Sequence, residues 1–158
     1  MGRDELVIRL ADLGVSVPQA APRPSAFAPA VRCDRLVFVS GHTSVDGESG
    51  KGSVETSTVE GASAGARLAA AKCLVAAAGR LRQDEGLTRV LRVTVFVASA
   101  GGFQAQPRVA DGASLLVTEL FGSDMGQHAR SAIGVAELPG GASVEVEMIV
   151  EVGATLVG

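Results

Sequence analysis

An arginine near the end of the chain stands where its charge can do chemistry. Arg130 begins the run "RSAIGVA", which alternates like a buried strand, and residues 143–152, "SVEVEMIVEV", alternate again with carboxylates on one face. A guanidinium offers planar, paired donors that match the two oxygens of a carboxylate. Arg130 in a cleft is therefore predicted to bind the acid end of a small molecule. The alternative for Arg130 is a surface or interstrand ion pair.

The composition is typical of a single domain spanning residues 1–158. The chain is 47% hydrophobic and 20% charged and contains no Trp or Tyr, so Val, Leu, Ile and Ala must build its core. A chain of this length can bury a sizeable core without disulfides or metals. The net charge of −3 and the lack of a Lys/Arg cluster disfavour a nucleic-acid partner, which would need a positive surface.

Several features favour a cytoplasmic protein without a membrane partner. The chain has no run of about 18 apolar residues, as a membrane-spanning helix would need. Asp4 and Glu5 stand where a secretory signal needs positive charge. Cys33 and Cys73 are far apart and are expected to be reduced structural thiols. His42 and His128 are the only histidines and have no third ligand at a suitable spacing, so no metal site is expected.

The first third of the chain predicts a helix, an extended arm and a strand. Residues 1–14 form an N-terminal helix whose leucines share one stripe, and residues 15–30 form a proline-rich extended arm. The run "RLVFVSG", residues 35–41, is a strand. The glycine-rich residues 46–54 lack the glycine and Ser/Thr that a phosphate-binding loop requires, and are predicted to be a hairpin loop between two strands.

Two longer helices and three further strands follow. A capping box at Ser57 and Glu60 begins a helix that runs to about Leu81, with small residues on its buried stripe. Residues 88–99 are a strand, and a second helix covers about 108–121 and ends at Gly122. The buried stripe of the first of these helices is Ala62, Ala66, Ala69, Cys73 and Ala77, and that of the second is Val109, Leu115, Leu116 and Leu120.

This order predicts an α+β fold, a mixed β-sheet with two long helices on one face. Two helices can cover only one side of the sheet. The other side carries the glutamates of residues 143–152 together with Arg92, Thr94 and Phe96. Because this face is too apolar to remain fully solvated and too polar for a core, oligomerisation that buries part of it is expected. Taken alone, "LPGG" between the last two strands reads as a hairpin turn.

Three motifs resemble the RidA/YjgF family, also called L-PSP endoribonucleases, whose fold is chorismate mutase-like. They are "LVFVSGH", "VLRVTVFVAS" with its following "GF", and "HARSAIGVAELPGGASVEVEMIVEV", and the resemblance covers about residues 18–152. It implies a homotrimer with a central β-barrel, helices outside and a ligand cleft at each subunit interface. It also implies that the central strand separates the last two strands, so that "LPGG" is a crossing connection.

The resemblance implies hydrolytic deamination of 2-imino or enamine acids to 2-oxo acids, with no cofactor. Arg130 would hold the acid, and Glu145 matches the glutamate that positions water. The alternative for Glu145 is a charge on the solvated side of a strand. If the last two strands paired directly, the two residues would lie on the order of 17 Å apart, so both are expected to reach one ligand only from different subunits.

The resemblance also assigns residues to the lining of the cleft, and several depart from the family pattern. Here His42 replaces a glutamine, His128 a proline, Ala132 a cysteine and Phe27 a tyrosine, while Phe103 matches the loop phenylalanine. Gly134 stands where a glutamate is frequent, and Pro107 where an asparagine is. These departures keep open a non-catalytic small-carboxylate binder or regulatory trimer. The acidic charge disfavours the family's older ribonuclease or translation-inhibitor role.

Overall fold

A five-stranded sheet with helices on one face organises the chain in the computed structural model. The structure describes residues 1–18, 26–45, 50–55 and 58–154. In chain order the elements are α1 (Arg3–Asp12), β1 (Ala30–Cys33), β2 (Leu36–Thr43), α2 (Val59–Ala78), β3 (Glu85–Ala98), α3 (Gln106–Met125), β4 (Ala129–Val135) and β5 (Val144–Ala154), with a 3-10 turn at Pro139–Gly141 before β5.

The strand order across the sheet is β1-β2-β5-β3-β4. Strand β3 is parallel to β4 and antiparallel to β5, so α3 is the crossover helix of a β3–α3–β4 unit. The predicted α+β class with a mixed sheet is therefore confirmed. The last two strands both pair with β3 and not with each other. A hairpin at "LPGG" is thus wrong, and the arrangement that the family resemblance implied is correct.

One face of the sheet, the helix face, carries the core. Val93, Val95 and Val97 of β3 are fully buried there, as are alternate residues of β5, beneath α2 and α3. The predicted small-residue stripe of α2 is buried throughout. At Gly112 of α3 an added Cβ would lie 1.9 Å from the carbonyl oxygen of Ser63 of α2, so the two helices meet backbone to backbone. Alternation on the strands and small residues on the helices together produce this close packing.

Three local predictions need correction or lie outside the described residues. Leu115, predicted to be buried, is 56% exposed. The buried side of α3 runs through Val109, Leu116 and Leu120, and Leu115 lies beside this stripe, turned towards solvent. The prediction that residues 46–54 form a hairpin loop between two paired strands is wrong, because the neighbours of β2 in the sheet are β1 and β5. Residues 46–49, residues 19–25 of the arm, and Ser57 of the capping box lie outside the described residues.

Gly122 breaks α3, as the sequence predicts, although helical structure resumes beyond it to Met125. Gly122 has φ 81° and ψ 174°, a backbone conformation that side-chain-bearing residues rarely adopt. The reversal brings the chain back to the sheet, where β4 begins at Ala129. The turn at Gly122 therefore connects α3 to β4 with the helix packed over the strand.

The opposite side of the sheet, the open face, is partly apolar and partly charged. Phe38 is 45% exposed and Ile133 43% exposed, while Phe96 and Ile149 are half-buried. Glu145 and Glu147 lie on the same face as these side chains because they alternate with buried Val146 and Met148. The half-polar character that the sequence predicts for this face is present in the structure. In the described part of the chain, no helix is long and apolar enough to cross a bilayer.

Candidate functional site

Arg130 lies on β4, the edge strand beneath α3. It pairs with buried Val93 of β3, which places its side chain on the helix face. Its Nη1 donates to Oδ1 of Asp111 at 2.8 Å and to Oγ of Ser114 at 3.1 Å, and the side chain is 26% exposed. Nε and Nη2 make no hydrogen bond to any described residue. Arg130 thus forms an ion pair and still presents the planar edge that can bind a carboxylate.

His128 extends this network from the other side of Ser114. Its Nδ1 lies 2.7 Å from the carbonyl oxygen of Gly126, and its Nε2 lies 2.9 Å from Oγ of Ser114. A carbonyl can only accept, so Nδ1 must carry a proton. The Ser114 hydroxyl accepts from Arg130 and has one proton to give, which Nε2 of a neutral His128 can accept. When Nε2 carries no proton, the hydrogen bonds run in one direction, from Arg130 through Ser114 to His128.

Glu145 lies on the open face of β5, in the row between Thr43 of β2 and Phe96 of β3. Its carboxylate lies against Gly41, where an added Cβ would be 1.7 Å from Oε1. The register of β2 shifts between Val39 and His42, and this irregularity makes room for the carboxylate. Burial raises the pKa of Glu145, and the negative charge of Glu147 raises it further. A carboxylate whose pKa lies nearer neutrality is a stronger base.

Phe27 lies on the segment that runs beside Ser40 of β2. The Ser40 hydroxyl donates to the carbonyl oxygen of Ala28 at 2.7 Å, and the Ser40 amide donates to that of Pro29 at 3.0 Å. These bonds hold the segment that carries Phe27 beside Ser40 and Gly41. The Phe27 ring is 68% exposed in the single chain. The resemblance assigned Phe27 to the cleft, and the structure places it on the segment that Ser40 holds, with most of its surface exposed.

His42 is next to Gly41 in sequence but faces the other way. It pairs with Val146, whose side chain belongs to the core, and it lines a cavity of about 1050 Å³ between α1, α2 and residues 15–18. Burial lowers the pKa of His42, and the nearby charge of Lys72 lowers it further. His42 is therefore separated from Glu145 by the sheet. Among the described residues, no group of three or more His, Cys, Asp or Glu side chains is placed to hold a metal ion.

Ala132 follows Arg130 on β4, and Phe103 lies beyond the far end of β3, near Gly134. Ala132 is half-buried two residues after Arg130 on the same face, and Phe103 packs against the core after β3. Gln106 donates from Nε2 to the carbonyl oxygen of Phe103 at 2.9 Å. The same Nε2 would lie 2.9 Å from a Cβ added at Gly134. A side chain at position 134, where the family resemblance leads one to expect a glutamate, would therefore meet the Gln106 amide.

The described residues form two half-sites. The arginine half-site comprises Arg130, Ala132 and His128 with Asp111 and Ser114 of α3, on the helix face. The glutamate half-site comprises Glu145 and Gly41, on the open face.

Strand β3 separates the two half-sites within one chain. Arg130 pairs with Val93 and Glu145 with Phe96, so the two residues are offset by three positions along β3 and by two strand spacings across it. Their backbones are therefore roughly 14 Å apart. This distance replaces the one of about 17 Å that direct pairing of the last two strands would give. Their side chains also leave opposite faces of the sheet.

Asp111, Ser114 and Gly41 are the residues of these half-sites that the sequence did not single out. Asp111 and Ser114 are one turn apart on α3, a spacing that puts both on one side of a helix. That signal becomes meaningful only when β3–α3–β4 is recognised as a parallel crossover that lays α3 over β4. Gly41 stands in the "SG" of the first motif, but its role depends on the carboxylate that lies against it.

The chain is an α+β protein whose edge strand carries Arg130. Comparisons with known proteins identify its family. A family model described as Endoribonuclease L-PSP matches residues 18–152. The chain belongs to this family, the RidA/YjgF family that its motifs resemble.

Individual relatives agree with that assignment. Protein TCP17 from Trypanosoma cruzi is 37% identical over 142 residues, which cover 88% of this chain and 89% of that protein. The crystal structure of Atu1372, a protein of unknown function from Agrobacterium tumefaciens, matches 96% of both chains with a TM-score of 0.80 and 32% identity. The structure of E. coli TdcF with bound serine has a TM-score of 0.55 at 21% identity, with 87% of this chain and 96% of that chain covered, and shares the fold.

Proposed function

We propose that this protein hydrolyses 2-imino and enamine acids to 2-oxo acids and ammonia, in a cleft between subunits of a homotrimer. The observation that carries the proposal is the state of Arg130. Its Nη1 is held by Asp111 and Ser114, while the described residues leave its Nε and Nη2 as a parallel pair of donors. Such a pair of donors fits the two oxygens of a carboxylate. In a 2-imino acid the carboxylate is bonded to C2, the carbon that reacts with water.

Glu145 is the proposed general base that activates water. In its ionised form it accepts a proton from water as the water oxygen bonds to C2 of the imine. The proton then passes to the substrate nitrogen and gives a carbinolamine. The carbinolamine hydroxyl loses its proton, through Glu145, to the same nitrogen; the C2–N bond breaks as the carbonyl forms, and ammonia leaves. One imino acid and one water give one oxo acid and one ammonia. The imine carbon is electrophilic enough for water, so the proposed reaction needs no cofactor.

The homotrimer is proposed because one chain cannot direct both groups at one ligand. Arg130 and Glu145 leave opposite faces of the sheet, so a shared ligand requires the arginine half-site of one subunit and the glutamate half-site of its neighbour. The apolar side chains of the open face, including Phe38 and Ile133, support burial in an assembly. In the proposed trimer the three sheets close into a barrel.

The ligand class has independent support from the same fold. E. coli TdcF has a structure with bound serine, an amino acid whose carboxylate resembles that of the proposed substrates. Substrates with small side chains suit the arginine half-site, because the next positions on the same face of β4 are Ala132 and Gly134, with Gln106 close above Gly134.

Turnover of freshly generated 2-iminobutyrate tests the proposal directly. The decay of the imine is followed with and without protein, and the wild-type protein is expected to accelerate it over buffer. Arg130→Ala should lower kcat/KM by roughly a hundredfold, the effect of two charge-assisted hydrogen bonds. Arg108→Gln is the matched control, since Arg108 forms an exposed ion pair with Glu60. No acceleration across several 2-imino acids would exclude this activity for them.

A non-catalytic role in binding small carboxylates is a second candidate. It is favoured by the arginine half-site, which is assembled within one chain, and by Gln106, whose amide lies close above Gly134 where relatives frequently carry a glutamate. Calorimetric binding of 2-oxobutyrate, weakened by Arg130→Ala and accompanied by no turnover of the imine, would support this candidate. Absence of binding by any small carboxylate would exclude it.

A further inference from the structure

We infer that Ser114 and His128 are positioning residues that fix the plane of the Arg130 guanidinium for its ligand. The inference rests on the proposed function, in which Arg130 binds the substrate carboxylate. It concerns residues on α3 and just before β4 that act through Arg130 and touch no substrate themselves.

Two acceptors on one nitrogen define a plane, whereas a single acceptor defines only a direction. Asp111 and Ser114 both accept from Nη1, at 2.8 and 3.1 Å, and so use both of its protons. Rotation of the guanidinium would break one of these bonds. The opposite edge, formed by Nε and Nη2, is thereby held pointing away from α3. Asp111 alone would anchor the group but leave it free to turn.

Ser114 can play this part only while its own proton goes elsewhere. Its oxygen must present a lone pair to Arg130, and its proton can then go to Nε2 of His128, which lies 2.9 Å away, when that nitrogen is unprotonated. His128 is held in the tautomer with Nδ1 protonated because that nitrogen donates to the Gly126 carbonyl at 2.7 Å. Gly126 is the C-cap of α3. The carbonyl at the end of α3 therefore sets the tautomer of His128. That tautomer orients the Ser114 hydroxyl, and the hydroxyl in turn fixes the Arg130 guanidinium.

The expected effects separate orientation from general stability. Ser114→Ala should raise KM for 2-iminobutyrate, and the dissociation constant of 2-oxobutyrate, about tenfold while kcat changes little, because the interaction lost is uniform binding. Ser114→Thr keeps the hydroxyl and should restore affinity to within about threefold of wild type. His128→Phe should resemble Ser114→Ala, because the hydroxyl proton then loses its acceptor.

Thr118→Val is the matched control. Thr118 lies one turn further along α3, and its hydroxyl donates only to the carbonyl oxygens of Ser114 and Leu115. It removes a hydroxyl from the same helix without touching Arg130, so KM should stay at the wild-type value. Wild-type affinity in Ser114→Ala, or an equal loss in Ser114→Ala and Ser114→Thr, would overturn the inference and leave the proposed function standing.

A ligand-free measurement keeps the two proposals distinguishable. Nitrogen-15 NMR of the side chains should show slow rotation of the Arg130 guanidinium in the wild-type protein, and a His128 that carries its proton on Nδ1 and accepts at Nε2. In Ser114→Ala the rotation should become fast. If the wild-type protein neither binds nor converts 2-oxo or 2-imino acids, the proposed function fails, and this measurement still decides the positioning role. Equally fast rotation in both proteins would overturn it.

Discussion

Arg130 and Glu145 project from opposite faces of one sheet, with β3 between their strands. Arg130 is fixed from α3 on the helix face, and Glu145 lies against Gly41 on the open face. Neither side chain can reach round the sheet to the other. A reaction that uses both must therefore combine two copies of the chain.

Subunit complementation tests this arrangement. Arg130→Ala and Glu145→Gln chains are each expected to retain about a hundredth of wild-type activity or less when refolded alone. Refolded together in equal amounts, they should recover about a quarter of wild-type activity, because three-quarters of randomly formed trimers are mixed and each mixed trimer contains one intact site of three. Activity of the co-refolded mixture is compared with that of each variant refolded alone. No recovery, despite mixed trimers seen by native mass spectrometry, would place both residues in one subunit's site.

The pH dependence of kcat/KM should report Glu145. The pKa of this carboxyl is raised by burial and then by Glu147, so activity that needs the ionised form is lost as the pH falls through a value above that of an ordinary glutamate. Glu147→Gln removes the neighbouring charge and should move this acidic limb to lower pH. Glu145→Gln should remove the limb and lower kcat about a hundredfold or more. An unchanged limb in Glu145→Gln would assign the titration to another group.

Acid stability should depend on Glu85. Its carboxylate accepts from both terminal nitrogens of Arg32 and from the Arg82 amide, and these bonds lower its pKa from 4.5 to about 2. The stabilisation from a lowered carboxyl pKa is present in full above the unfolded value and is lost as the pH falls towards the folded value. Arg32→Gln should therefore be less stable than wild type at neutral pH, with the difference shrinking between pH 4.5 and 2.

Denaturant unfolding across this pH range measures the effect. Arg35→Gln is the control, because the Arg35 side chain is 70% exposed in its pair with Glu151 and should contribute little. A constant difference between Arg32→Gln and wild type from pH 7 to pH 2 would contradict the assignment to Glu85.

Two helix glycines should respond to alanine with opposite signs. At Gly112 an added Cβ would lie 1.9 Å from the Ser63 carbonyl oxygen, so Gly112→Ala must push α2 and α3 apart and should cost roughly 1–3 kcal/mol. Gly61 lies in α2 with no atom within 4 Å of an added Cβ, so Gly61→Ala should stabilise by up to about 1 kcal/mol. Thermal unfolding of both variants gives the comparison. Stabilisation by Gly112→Ala would show that the helices can separate freely.

Local patterns were sufficient for most of the secondary structure. The alternation of β3 and β5 and the small-residue stripe of α2 depend on side chains a few residues apart, and the structure agrees with them. Leu115 shows the limit of such patterns. An apolar residue beside a buried stripe looks buried until the position of the neighbouring strand shows which side of the helix is covered.

The sequence by itself determined the two chemical groups and their family, because a guanidinium and a carboxylate carry their chemistry wherever they lie and the motifs around them are local. Only the tertiary structure decided which side chains surround the guanidinium and the carboxylate. Residues 111 and 114 meet Arg130 only because α3 crosses over β4, and Glu145 meets Gly41 only because β2 pairs with β5. Such contacts join residues far apart in the chain, and the packing of the whole sheet determines them.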